Sequence, residues 1–318
     1  MAWDRSSRPA GGRGTTVDRT DPRRNGRRSD GDRETGAGTE TPASEFRGEE
    51  LVVGYPSADE PVIDGESLRV PPGEVTALVG PNGSGKSTLL KGLADQLGLD
   101  AGRVLLDGAD VQSLEAKELA RKLGLLSQEN TSPESVPVEK LVEHGRYPHR
   151  GFFDGLSAAD REAIDRAISL AGVEHLRGRE VGSLSGGQKQ LVWIAMILAQ
   201  ETDVLLLDEP TTFLDLHHQL EVMGIVETLR DDSDVTVVLV LHDIDQAARY
   251  ADHVVALKDG AIYARGPPEE VVTEGLLAEV FEIDAEVELT ERGPRIVPLR
   301  PRHGNVTAER GEPPGPEQ

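Results

Sequence analysis

Three glycines, a lysine and two serines fall within Gly80-Pro81-Asn82-Gly83-Ser84-Gly85-Lys86-Ser87. The spacing G-x-x-x-x-G-K-S suits one task, the holding of a phosphate chain. Glycines let the backbone curl until successive N–H groups point inward at phosphate oxygens. A helix opening at Thr88 would add partial positive charge at its N-terminus. Lys86 would reach the outer phosphates, and the Ser87 hydroxyl is a ligand for Mg2+. The β-rich run Val75–Val79 before the loop and the helical spacing of Thr88–Leu97 after it are the context such a loop needs.

A second group is Val204-Leu205-Leu206-Leu207-Asp208-Glu209-Pro210, an apolar strand that ends in two acids. Carboxylates at the C-terminal edge of a parallel strand stand where open α/β sheets bind ligands. Asp208 would hold Mg2+, and Glu209 would polarise an attacking water as general base. A third group, Leu184-Ser185-Gly186-Gly187-Gln188, precedes the apolar stretch Leu191–Ala199. A serine and two glycines at a helix N-terminus form an anion site. One chain thus carries two phosphate-binding devices.

The surrounding pattern alternates between strand and helix. Glu50–Val53 and Ser67–Val70 read as strands of an early sheet, with Val104–Leu106 and Leu123–Leu126 as further short strands. Val204–Leu207 and Val235–Leu241 are continuous apolar runs, as expected for central parallel strands buried on both faces. From about 138 to 184 the spacing is mostly helical, with breaks at Gly145, Pro148 and Gly151. The expectation is an α/β core with a helical insertion and no internal repeat.

Residues 1–44 are rich in Arg, Gly, Asp, Ser and Thr without apolar periodicity, and are expected to be disordered; 301–318 reads as a second tail, leaving 45–300 as the folded domain. No apolar stretch follows Arg23-Arg24 or Arg27-Arg28, so a twin-arginine export signal is not supported. The methionine after Met1 is Met196, so a later start would use a valine codon such as that of Val17.

Composition narrows the function. Of the 318 residues 37% are hydrophobic, enough for a sizeable core, and the absence of cysteine excludes disulfides and thiolate-bound metals. No stretch approaches the ~18 consecutive apolar residues of a membrane-spanning helix. The net charge of −23, from 57 acidic against 34 basic residues, repels nucleic acid.

The motifs in order are the phosphate loop, Leu184–Gln188, Leu205-Leu206-Leu207-Asp208-Glu209-Pro210 and Val238-Leu239-Val240-Leu241-His242-Asp243. In that order the chain resembles the ATP-binding subunits of ABC transporters over roughly 46–290. The resemblance implies an ABC-type P-loop NTPase: an α/β core, an antiparallel β subdomain, and a helical subdomain at about 130–185 inserted between Gln128 and Ser185. It implies ATP and Mg2+ as ligands. It also implies a head-to-tail dimer in which Ser185, Gly186, Gly187 and Gln188 of one chain close over the ATP held by the phosphate loop of the other. By the same resemblance Tyr55 stacks on adenine, Gln128 senses Mg2+, Asp215 touches the opposite subunit and His242 contacts the γ-phosphate. Lys86, Gln128, Glu209 and His242 form the implied catalytic set, and Ser87, Gln128 and Asp208 the metal set. Thr212-Phe213 stands where the family most often has Ser-Ala before Leu214-Asp215. His217 and His218 are adjacent on a predicted helix and do not share a face, so a joint metal site is not expected.

Gly145-Arg146-Tyr147-Pro148-His149, Trp193–Gln200 and Asp208–Asp215 look like the ATPases of iron–siderophore, haem and cobalamin importers, iron–siderophore best. That group implies membrane permease partners, an extracellular substrate-binding protein acting indirectly, and a place on the cytoplasmic face of the cell membrane. The alternative is a soluble ABC-type ATPase such as one for iron–sulfur cluster assembly. The acidic surface also suits a halophile. Circular dichroism after dialysis from molar KCl into dilute buffer should show loss of fold; a chain that stays folded and active there rules that reading out.

Overall fold

The computed structural model describes residues 43–128, 130–131, 134–151 and 154–302. The expected tails, 1–44 and 301–318, lie almost wholly outside these residues.

Val75–Val79 (β3), Val204–Asp208 (β7) and Thr236–Val240 (β8) are buried at every position. Their branched side chains must therefore find apolar cover on both faces. They lie in a six-stranded sheet with Leu123–Leu126 (β6), His253–Lys258 (β9) and Ala261–Gly266 (β10), in the order β10-β9-β3-β8-β7-β6. All neighbours pair parallel except β10, which closes one edge antiparallel. Side chains alternate between the faces with period 2. Leu78, Leu206, Val238 and Val240 meet Leu89, Leu90 and Leu93 of the helix Lys86–Leu93 on one side. Ala77, Leu205, Leu207, Val237 and Leu239 meet Leu191, Ile194, Val222 and Val226 on the other.

A four-stranded antiparallel sheet covers the first side, in the order Ile63–Val70 (β2), Phe46–Val53 (β1), Leu99–Leu106 (β4) and Ala109–Asp110 (β5). Phe46, Leu51, Val53 and Ile63 point from it into the shared core. The helix after the phosphate loop stops at Leu93 rather than at the expected Leu97. Asp95 takes a left-handed φ of 53°, and the amides of Gln96 and Leu97 both return to the Lys91 carbonyl. That closure turns the chain into β4, which starts at Leu99 rather than the expected Val104. The sequence reading did not separate the C-terminal hairpin of Ile283–Thr290 (β11) and Gly293–Pro301 (β12). It packs Ala285 and Ile296 against Ala248, Val272 and Leu277.

The helical insertion is closed at its base by the bridge Pro137↔Glu180 and by the amide of Val138 donating to Arg179 O. It holds helices Val138–Glu143 and Ala158–Leu170, and the helix Gly186–Leu198 follows it. His144–His149 forms a 3-10 turn that contains Pro148. Arg146 is buried in that turn. Its Nε donates to Asp160 (3.0 Å), and one terminal nitrogen donates to Ala199 O and Glu201, both at 2.8 Å. His149 Nε2 sits 2.7 Å from Gln200 O. This turn is therefore bolted to the end of the helix that Ser185 begins, while Tyr147 points outward at 60% exposure. Burial would raise the Asp160 carboxyl, but Ser157 and Arg146 hold it at about 2. A depressed carboxyl contributes stability above its ordinary 3.8 and loses it as the pH falls toward 2. Arg146→Ala leaves Asp160 buried without its cation and should cost about 3 kcal/mol; thermal melts at neutral pH check this, and an unchanged melting temperature would contradict it.

Candidate nucleotide site

Four neighbouring parallel strands deliver the chemistry to one edge. The phosphate loop follows β3, His242 follows β8, Asp208 and Glu209 end β7, and Gln128 follows β6. Because β3, β8, β7 and β6 are adjacent in that order, their C-termini converge.

Gly80, Gly83 and Gly85 have φ of 147°, 81° and 97°, values that L side chains rarely adopt. A Cβ on Gly80 would also lie 2.2 Å from the Leu257 carbonyl oxygen. Asn82 and Gly83 are exposed at the crest, while Ser84 and Gly85 are buried behind it. Lys86 Nζ arches over the loop and donates to the carbonyls of Gly80 and Pro81, both at 2.9 Å. Burial lowers the Lys86 pKa, against the opposing pull of Glu209 and Asp208. A partly dehydrated ammonium of this kind binds phosphate oxygens strongly. Tyr55 stands beside the helix, 41% exposed, and Thr88 Oγ1 donates to its hydroxyl at 3.4 Å.

Ser87 Oγ donates to Asp208 Oδ1 at 2.7 Å. The second oxygen, Oδ2, is buried without a hydrogen-bond partner. Burial raises the Asp208 carboxyl, against the hydrogen bond from Ser87. An orphaned carboxylate oxygen beside a hydroxyl is short of a cation, and this hard oxygen pair fits Mg2+. Among the described residues no group of three or more His, Cys, Asp or Glu forms a cage for a metal. A cation here would complete its shell with phosphate and water, as Mg2+ does.

Glu209 is held from three directions. Gln128 Nε2 donates to Oε2 (2.6 Å), Thr212 Oγ1 reaches the same oxygen (3.2 Å), and His242 Nε2 lies 2.6 Å from Oε1. Glu209 is buried, and its φ of 52° is left-handed. That backbone costs about 1–2 kcal/mol and is kept at sites where it aims a side chain. A carboxylate has about four acceptor positions, so three partners leave room for a water.

Ser185 caps the helix Gly186–Leu198. Its Oγ accepts from Gln188 N (3.3 Å), and Gln188 Oε1 accepts from Ser185 N (3.2 Å). Ser185 and Gly186 are exposed, and Gly187 is buried. Asp215 caps the helix Leu216–Asp232. Among the described residues no hydrogen bond joins Ser185–Gln188 to residues 80–88. The contact of Thr212 with Glu209 was not legible in the sequence, nor was the relay in which Thr211 donates to Gln246, Gln246 to Gln219, and Gln219 to Leu214 O. These are ordinary polar residues whose meeting depends on the fold. His217 turns toward Glu221 and His218 toward Asp215.

The ABC transporter family matches residues 63–212. The ferric enterobactin transport ATP-binding protein of Escherichia coli is 44% identical over 74% of this chain and 86% of its own length. The petrobactin import ATP-binding protein of Bacillus anthracis is 45% identical over 71% and 83%. The chain belongs to the ATP-binding subunits of the ABC transporter family. A dimeric bacterial ABC transporter cassette, MJ0796, superposes with a TM-score of 0.62 at 27% identity, over 70% of this chain and 98% of that one. The α/β cassette fold and ATPase activity follow with the family. Glu209→Gln keeps the shape of the side chain and one accepting oxygen but removes its basicity. The variant should bind ATP with native affinity and hydrolyse it about 10²–10⁴-fold more slowly; phosphate release under single turnover measures this, and native turnover would remove Glu209 from the role of base.

Proposed function

We propose that this ATPase energises the import of an iron(III)–siderophore complex, docked on the cytoplasmic face of membrane permeases. The observation that carries the reading is the identity of 44–45% to enterobactin and petrobactin transport subunits across nearly their whole length. Import ATP-binding subunits of this family work as dimers with membrane permeases. Among the described residues no helix is long and apolar enough to cross a membrane, which suits a subunit that borrows its pathway from a partner.

In the proposed cycle the adenine stacks on Tyr55, and Gly80 to Thr88 wrap the phosphates, with Lys86 on the outer ones. Ser87, Asp208 and Gln128 would hold Mg2+, which offsets phosphate charge when bound. Two chains then close head to tail. Ser185, Gly186, Gly187 and Gln188 of each face the γ-phosphate held by the other, with Asp215 at the contact. Phe213, 97% exposed with a left-handed φ of 62°, and Leu216, 70% exposed, flank that aspartate and suit burial in such a closure. Glu209 accepts a proton from the attacking water as its oxygen bonds to the γ-phosphorus. The bond from that phosphorus to the bridging oxygen breaks, releasing ADP and phosphate, while His242 holds Glu209 and faces the γ-phosphate.

Cobalamin or haem import and iron–sulfur cluster assembly, the alternatives read from the sequence, have nothing in the site that favours them. A pull-down of the tagged chain from native membranes in molar KCl and mild detergent should bring down a multi-helix permease and a substrate-binding protein. That binding protein, refolded and titrated with ferric siderophores, should bind one of them. Recovery of soluble assembly proteins alone would overturn the import reading.

A further inference from the structure

The imidazole of His218 lies between two elements that the hydrolytic machinery does not explain. Its Nδ1 is 2.9 Å from Asp215 Oδ1, and its backbone amide donates to the same oxygen at 3.0 Å. Its other side rests on Gly187. A Cβ built there would lie 2.3 Å from both Cγ and Cδ2 of the ring, and 2.6 Å from Nδ1. The ring is four-fifths buried by this packing. The two adjacent glycines therefore have different surroundings. Around a Cβ at Gly186 there is open space, on the face that Ser185 also presents, whereas Gly187 is backed by the histidine. Neighbouring His217 takes no part, since it turns to Glu221 at 3.5 Å.

We propose that His218 is a positioning residue that braces the N-terminus of the helix Gly186–Leu198 against Asp215, so that both partner-facing elements of a chain meet the other chain's ATP as one rigid unit. Gly187 is glycine because the imidazole fills the space a side chain would need. Histidine suits the task because a flat ring can lie on a glycine while its nitrogen donates to the capping aspartate; alanine does neither, and asparagine keeps only the donor. The brace lies within one chain, but its effect falls on the site shared with the partner. It rests on the head-to-tail dimer proposed above.

The test uses the full chain carrying Glu209→Gln, which accumulates the ATP-bound state. Light scattering gives the ATP-dependent dimer dissociation constant. A fluorescent ATP analogue, at protein concentrations too low for dimers, gives affinity at the chain's own phosphate loop. Adding His218→Ala should leave the analogue's affinity unchanged and raise the dimer constant roughly a hundredfold, about tenfold at each of two symmetric sites. His218→Asn should recover part of this loss. Gly187→Ala should abolish dimerisation when His218 is present and cost distinctly less once His218→Ala has opened the space. The proposal is overturned if His218→Ala dimerises as tightly as its parent, or if Gly187→Ala is equally damaging in both backgrounds. If the parent with native His218 does not dimerise with ATP, the head-to-tail reading fails and takes this brace with it.

Discussion

Parallel pairing of β3, β8, β7 and β6 forces four strand ends to one edge, and the groups proposed to meet the nucleotide's outer phosphates hang from that edge. Parallel strands need crossovers, and the crossovers here carry the phosphate-loop helix and the helical insertion. The sheet is rigid because both of its faces are apolar and covered. A slip of one residue in β7 would exchange Leu206 with its neighbours across the faces and carry Asp208 away from Ser87. The apolar pattern of the strand thus guards the geometry of the acids at its end.

At that edge the electrostatics oppose ordinary solvation. Lys86 is lowered by burial and Asp208 is raised by it. Neither is fully satisfied by protein: Lys86 uses two backbone carbonyls, and Asp208 leaves one oxygen without a partner. Charges held in this manner are expensive in the protein alone and gain strongly from a ligand of opposite sign. Glu209 is different, since Gln128, Thr212 and His242 orient it before any water arrives. The groups proposed to bind are left short of partners, while the carboxylate proposed to react is held in place.

The same contrast distinguishes the helical insertion. Arg146 ties the Tyr147-bearing turn to the far end of the helix that Ser185 begins. A displacement of that turn therefore has a stiff path to the Ser185 half-site, by way of a helix whose buried positions Leu191, Ile194 and Ala195 lie in the main core.

Chemistry was the part most legible in the residues. Gly80–Ser87, Asp208-Glu209 and Ser185–Gln188 are local, because phosphate binding and helix capping need neighbouring backbone groups at fixed spacing. The central strands were equally plain, since burial on both faces demands unbroken apolar runs. The end of the helix at Leu93 was not legible; it depends on Asp95 entering a left-handed turn inside an otherwise helical pattern. Nor was the C-terminal hairpin, whose apolar residues are few and gain meaning only from packing against Ala248 and Leu277. His218 shows the limit most clearly. From sequence it was one of two adjacent histidines with no shared face, and only the fold lays its ring on Gly187. Sequence alone determined which groups have the type and spacing suited to a phosphate, a cation and an activated water, because those are properties of residue types at short spacing. Tertiary structure decided which of them meet, because distances such as those from Ser87 to Asp208 and from Gln128 to Glu209 join residues far apart in the chain.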